Sequence, residues 1–443
     1  MNIYIIGSGW YGCHTALYLA QAGHTVTILE KNLDIFQGTS GQFGIRLHSG
    51  PHYPRSAATR ESCRRGGAEF KRRYPELIIP HQYSIYALGI LDADRQPSKV
   101  SQKTFEAVCH ESPECEFINT DTWDYQGLIC AANLDEPSIA LGQRLRERFR
   151  TLLIQEGVNI LCGVTVISVE NNEEDHVVIH LDNNDIICDR VINATGYQAI
   201  HHQSIESPLN IQVAYQPCLA LTYRDKKPEE RPFSFIVMDG WFPCLMPYVT
   251  GEYEQYDQYI LTHGKWTIMG SFDTPEKANK ILKSLSNEYI EAEIKTRCEE
   301  EINRFWPKFA DRFEFLGWKG SVLAKINTKS EFRSAITYAE KNIIHIIPGK
   351  VTNIFDVENE IQCLLDNAEI ITQGAYSYVR NGIFDKSIQE VHEKSTEIDR
   401  STYTLETFKE LHQHSFISQI SIKKGSNETG SDPNINQTLP NKK

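Results

Sequence analysis

The chain opens on a short apolar run, Ile3 to Ile6, that stops at Gly7. An unbroken run of that length predicts a strand buried on both faces. Apolar residues then recur at helical spacing, at Ala16, Leu17, Leu19 and Ala20, and Gly23 follows as a C-terminal stop. HTVTILEKN predicts a second strand, ending at Glu30. The pattern is therefore β-α-β from the first residues. Further on, it predicts a helix from Ser56 to about Tyr74 and a strand in HQYSIYALGIL. Pro137 to Gly157 reads as a helix with Leu141, Leu145, Phe149 and Leu152 on one face. Strands are expected at 158–169, 176–181 and 186–193, the last ending in INATG. Between 206 and 334 lie aromatic-rich strands (QPCLALTY, FSFIVM, QYILTHG) and one long helix around 276–304. A strand from Ile343 to Ile347 leads through a glycine turn into a last helix. The polar end, KKGSNETGSDPNINQTLPNKK, has no periodicity and reads as a disordered tail.

Composition narrows this picture. At ~150 residues per domain, 443 residues suggest about three domain-sized units. Apolar residues at 40% and charged residues at 23% exclude wholesale disorder. A net charge of −13 speaks against nucleic acid as a partner. No run reaches the ~18 apolar residues of a transmembrane segment, and the opening residues lack a signal-peptide pattern. The 11 cysteines contain no CxxC pair, so no metal site is expected and reduced thiols in a cytoplasmic setting are.

The strongest chemical signal is Gly7-x-Gly9-x-x-Gly12 between the first strand and helix. Gly7 allows the tight turn, Gly9 lets backbone approach a pyrophosphate, and Gly12 lets the helix pack close. The helix start, at Trp10 and Tyr11, would face the diphosphate with free N–H groups. Glu30, followed by Lys31, ends the second strand at the distance expected for ribose hydroxyls, and its charge disfavours a 2′-phosphate.

Four segments together resemble FAD-dependent oxidoreductases of the D-amino acid oxidase and glycine oxidase type: IYIIGSGWYGCHTALYLAQAGHTVTILEKN, GTSGQFGIRLHSGPHYPRS, INATG and PGKVTNIF. The GWYGCH start and the RLHxGxHYPRS segment are most similar to a poorly characterised bacterial branch of that family. The resemblance implies a Rossmann-like α/β FAD-binding domain interleaved with a mixed-sheet substrate domain. The expected division is 1–80, 125–205 and 335–384 for FAD, and 81–124 and 206–334 for substrate. A helical extension (385–422) and the tail (423–443) would follow.

The resemblance also implies contacts. Thr39 and Ser40 would reach the FAD diphosphate, where an ordinary turn is the alternative reading. The strand at Val166 would offer backbone to the adenine. Ala194, Thr195 and Gly196 would let backbone approach the cofactor. Gly349, Lys350, Val351 and Thr352 would lie near the pyrimidine end of the flavin, with a plain turn and a solvated lysine as the alternative. FAD is expected to be noncovalent, although His48 could be an attachment point, as in some relatives.

Arg46, His48, His52, Tyr53 and Arg55 crowd cations, imidazoles and a phenol into ten residues. From Arg46 to Arg73, eight cations face two carboxylates, a net of +6 in an acidic chain. That contrast points to an anionic substrate or to acidic partners elsewhere; for Arg64 to Arg73 a solvated helix face is preferred. Arg46 and His48 are taken as catalytic, His52 and Tyr53 as substrate-binding. Tyr197, Tyr215, Trp241, His201 and His202 are open candidates for pocket walls, with core or surface positions as the alternative. The expected reaction is hydride removal from a C–N or C–O carbon of a small anionic substrate, with an unassigned electron acceptor. A redox-neutral enzyme of nucleotide sugars, or an inactive FAD-binding protein, is the alternative.

Overall fold

Asn2–Ile6 forms the first strand, Trp10–Gln21 the helix and Thr25–Glu30 the second strand. The two strands pair in parallel, Ile5 opposite Ile28, as a helical crossover allows. In the computed structural model, residues 1–49, 51–112, 114–198, 213–251, 256–326, 335–366, 370–373 and 376–379 are described. The expected extension and tail beyond 384, and His201 and His202, lie outside them.

A six-stranded sheet runs in the order Ile336–Glu340, Ile343–Ile347, Arg190–Asn193, Asn2–Ile6, Thr25–Glu30, Asn159–Cys162. All neighbours are parallel except the first two, which form a hairpin. Asn2–Ile6 lies in the middle, so the chain leaves it in opposite directions on its two sides. Open α/β sheets place their ligand crevice at such a switch point, here at the strand ends beside Gly7 and Ala194. Both faces of the sheet are covered. Ile3 and Ile5 pack with Ala16 and Leu19 on the helical side. Ile6 and Leu29 pack with Val177 and Ile179 on the other. That second cover is a three-stranded antiparallel sheet of Val166–Asn171, Val177–Leu181 and Asp185–Cys188.

An eight-stranded sheet runs Phe313–Ile326, Val213–Asp225, Gln258–His263, Pro243–Pro247, Phe233–Met238, Tyr83–Gly89, Leu128–Asn133, Glu116–Ile118. It is mixed: Phe233–Met238 and Tyr83–Gly89 are parallel, the other neighbours antiparallel. Phe305, Trp306 and Phe309 cover it with an aromatic core. The fold class is therefore α/β, a parallel dinucleotide-type sheet beside a mixed sheet. No helix among the described residues is long and apolar enough to cross a membrane.

Several elements differ from the pattern. Leu128–Asn133 pairs with Tyr83–Gly89 in the large sheet, so the expected boundary at 124/125 falls too early. The helix expected from Pro137 starts at Gly142, because Ser138–Ile139 is drawn into strand pairing. That dipeptide lies between Ile45–Arg46 and Ile78–Ile79. The expected strand 158–169 is two strands in different sheets, divided at Gly163, where φ is +75°. The long helix around 276–304 is interrupted after Ser284, where Ser286 caps a new start through the Tyr289 N–H.

Candidate active site

The glycine turn is built by close approach. Gly7 has φ +97°, a region that favours glycine, and a Cβ there would lie 2.8 Å from the Ala194 carbonyl oxygen. A Cβ on Gly12 would lie 1.9 Å from the Gly7 carbonyl oxygen, and one on Gly9 would lie 2.8 Å from Ser40 Oγ. The backbone at this turn is thus packed too closely to carry side chains.

Glu30 is buried beside the turn. Its Oε2 accepts from the Ser8 N–H (2.8 Å) and hydroxyl (2.6 Å), and its Oε1 from the Asn32 N–H (2.9 Å) and side-chain amide (2.6 Å). All four acceptor positions of the carboxylate are matched, so ribose hydroxyls would replace donors of Ser8 and Asn32. Lys31 is exposed. The Trp10 N–H donates to Ser40 Oγ at 3.2 Å. Its indole is buried against Phe36, Phe70 and Phe149, so only its backbone faces the crevice. The Thr39 hydroxyl shares a 2.5 Å bond with the Ser321 hydroxyl of the large sheet.

The other segments converge on the same crevice. Val166 starts the small antiparallel sheet, two residues after Val164 donates its N–H to the Glu30 carbonyl (2.9 Å). Ala194 covers Gly7, the Thr195 hydroxyl donates to Asn193 Oδ1 (2.7 Å), and Gly196 has φ +72°. The phenol of Tyr11 accepts from the Gly349 N–H (2.9 Å) and donates to the Lys350 carbonyl (2.6 Å). The first helix is thereby tied to the turn that follows the Ile343–Ile347 strand. Val351 and Thr352 start a short turn into the helix Ile354–Leu365, with Thr352 buried.

At the end of this crevice lies a cluster of polar side chains. Arg46 is buried; its Nη1 donates to Tyr86 Oη at 3.0 Å and lies 3.9 Å from Glu136 Oε2. His48 and His52 stack with centroids 4.4 Å apart at 11°, and Tyr53 meets both edge-on. Lys350 Nζ sits 4.5 Å over the Tyr53 ring, so it is turned into the cluster rather than solvated. Among the described residues, Arg46 Nε, His52 Nδ1 and Tyr53 Oη are buried with no hydrogen-bond partner. Burial, with Arg46 and Lys350 nearby, holds His48 well below the usual imidazole range. Burial, His48, Arg46 and Lys350 do the same to His52, so both rings are neutral at pH 7. Burial and the Arg46 charge lower the Lys350 ammonium to about 8.

The charge excess from Arg46 to Arg73 is mostly answered by carboxylates. Arg55 pairs with Asp239 (2.6 Å), Arg60 with Glu111 (2.9 Å), Arg65 with Asp356 (2.6 Å), Lys71 with Asp135 (2.9 Å) and Arg73 with Glu358 (2.6 Å). Arg64 pairs with Glu61, and Arg72 with Glu69. The helix is paired rather than merely solvated, and its charge carries no substrate signal. Arg46 and Lys350 keep that meaning.

Two members of the cluster had no sequence signal of their own. Tyr86 lies in an apolar strand, and Glu136 precedes a proline in a loop. Their roles depend on Ser138–Ile139 pairing beside Ile45–Arg46, which local periodicity does not reveal. Tyr215 and Trp241 are buried in the large-sheet unit, Tyr215 in its core and Trp241 with its N–H on Asp92 Oδ2 (3.2 Å). Tyr197 packs half-buried against that same core.

Comparison with known proteins agrees with this geometry. A family model described as FAD dependent oxidoreductase (DAO) matches residues 2–345. The chain is 48% identical over 402 residues to the FAD-dependent monooxygenase kojA of Aspergillus flavus, covering 90% of this chain and 93% of that one. It is 28% identical over 369 residues to the FAD-dependent monooxygenase FPY4 of Fusarium mangiferae, covering 82% and 90%. Among solved structures, glycine oxidase of Geobacillus kaustophilus superposes with a TM-score of 0.60 at 11% identity, over 82% of this chain and 94% of that one. The named sequence relatives are fungal, beside the bacterial branch of the opening resemblance. The residues around the glycine turn fit FAD: glycine backbone free of side chains leads into the N-terminus of the helix Trp10–Gln21, beside a buried carboxylate. The chain belongs to the DAO family of FAD-dependent oxidoreductases and is an FAD-dependent enzyme.

Proposed function

We propose that this enzyme oxidises a small anionic molecule at a carbon bearing oxygen or nitrogen, in the cluster of Arg46, His48, His52, Tyr53 and Lys350. The observation that carries this reading is Arg46: a buried guanidinium whose Nε has no partner among the described residues. A buried donor without an acceptor is costly, and a substrate carboxylate or phosphate would satisfy it. His52 Nδ1 and Tyr53 Oη are unpaired in the same cluster and would orient that substrate. Bound FAD supplies a two-electron acceptor for the hydride that leaves the carbon.

The chain holds the cofactor through the Gly7 to Gly12 turn, Ser40, Glu30, Val166, Ala194 to Gly196, and Gly349 to Thr352. The six-stranded sheet unit is read as the FAD domain and the eight-stranded sheet as the substrate domain. The flavin is read as noncovalent, so acid precipitation should release it into the supernatant. All 11 cysteines are free, which supports a reducing, cytoplasmic setting.

The reading is tested by anaerobic mixing of the FAD-loaded enzyme with hydroxy acids, amino acids, sugar phosphates and nucleotide sugars. Bleaching by a small hydroxy or amino acid supports it; bleaching by none contradicts it. A second reading, oxygen insertion, is favoured by the 48% identical relative named a monooxygenase. It predicts that an added reductant is consumed together with oxygen and that an oxygenated product forms. Hydrogen peroxide released in step with oxidised substrate supports the first reading instead.

A further inference from the structure

One proton in the cluster can be placed by counting donors. Tyr86 has a single hydroxyl hydrogen. Glu136 is buried and ringed by donors: its Oε1 accepts from the Ser49 N–H (2.7 Å) and hydroxyl (3.0 Å). Its Oε2 takes the Tyr86 hydroxyl hydrogen at 2.5 Å. Arg46 Nη1 donates to Tyr86 Oη from the other side at 3.0 Å. The Tyr86 oxygen therefore offers only a lone pair to His48. His48 Nδ1 faces two acceptors, Glu136 Oε2 at 3.4 Å and Tyr86 Oη at 3.5 Å. Both neighbours offer lone pairs, so the tautomer with the hydrogen on Nδ1 is the one that suits them. Burial, Arg46 and Lys350 keep the ring neutral, and a neutral imidazole has one N–H. Nε2 is then the ring nitrogen without a hydrogen.

We propose that Glu136 is a positioning residue that holds His48 with Nε2 as the proton acceptor for a substrate hydroxyl. This rests on the oxidation reading above and names its substrate group. The cations of Arg46 and Lys350 beside the ring would repel an ammonium, whereas a hydroxyl is neutral. The substrate O–H bond breaks and its proton forms the Nε2–H bond. The C–H bond breaks, its electron pair leaves with the hydride to the oxidant FAD, and the carbon–oxygen bond becomes a carbonyl. The imidazolium that results keeps its Nδ1–H toward Glu136, whose charge stabilises it. Among the described residues, the charged or titratable groups facing the ring are Arg46, Lys350, Glu136, Tyr86, His52 and Tyr53.

Two measurements on the FAD-loaded enzyme test this. The first is the ¹⁵N spectrum of histidine-labelled protein at neutral pH, with His48→Gln assigning the signal. A protonated Nδ1 and bare Nε2 are expected; the reverse tautomer overturns the proposal, whether or not any substrate is known. The second compares wild type with Glu136→Gln, using glycolate and lactate against glycine and alanine as probes. The amide places an N–H toward Nδ1 and reverses the tautomer, so kcat should fall about 10²-fold or more with KM little changed. Equal kcat at matched FAD content overturns the proposal. Turnover of the amino acids alone overturns its hydroxyl assignment. If neither series bleaches wild type, the oxidation reading fails, while the spectrum still decides the tautomer. If Glu136→Gln does not fold, the wild-type spectrum decides alone.

Discussion

Replacing Arg46 by lysine keeps the charge and removes the planar fork. Its Nη1 bond to Tyr86 and its unpaired Nε cannot both be reproduced by one ammonium. Arg46→Lys should therefore raise KM for an anionic substrate about tenfold while FAD stays bound, as steady-state kinetics with flavin absorbance would show. Lys350 gives a pH signature. Its ammonium is lowered to about 8, so charge is present below that pH and lost above it. KM for an anion should rise as pH passes through about 8, and Lys350→Met should remove that limb from the pH profile. At this scale the sequence was informative where chemistry was local. Arg46, His48, His52 and Tyr53 stand within eight positions and do meet in space. Glu136 was illegible because its partners are 50 to 90 positions away, at Tyr86, His48, Ser49 and Arg46.

Among elements, the arginine-rich helix Ala57–Arg73 packs against the C-terminal turn with no room for a side chain at Gly66. A Cβ on Gly66 would lie 2.4 Å from the Thr352 carbonyl oxygen, and that atom belongs to a turn that cannot swing aside alone. Gly66→Ala should cost about 1–3 kcal/mol in urea unfolding and weaken FAD retention on dialysis. Gly67 is the control: its Cβ would meet nothing closer than 3.5 Å. Gly67→Ala should be neutral or stabilise by up to about 1 kcal/mol, since alanine is the better helix former. The helix itself was legible from its periodicity. Its charge was misleading, because all six of its cations answer carboxylates and the sequence does not say which ones face them. Ser138–Ile139 escaped notice for a related reason. Two residues have no period, and only their neighbours make them a strand.

At the scale of the whole molecule, the dinucleotide unit was legible because its βαβ start is contiguous, whereas the eight-stranded sheet gathers strands from 83 to 326. The boundary at Leu128–Asn133 shows the limit: one strand's sheet is decided by its partners, not by its own composition. On the proposed reading, bound cofactor would be held by the Gly7 and Gly349 turns together, which the Tyr11 phenol already links. Loading with FAD at about 100 times its dissociation constant should stabilise the protein by about 2.7 kcal/mol, read as a rise in Tm over the stripped form.

The proposed oxidation depends above all on Arg46 anchoring the substrate beside the flavin. Anaerobic rapid mixing of FAD-loaded wild type and Arg46→Ala, with whichever hydroxy acid bleaches the wild type, tests it most directly. At matched flavin content, bleaching at a fixed low substrate concentration should be slower by about 10- to 100-fold in the variant. Equal bleaching rates in the two proteins would contradict it.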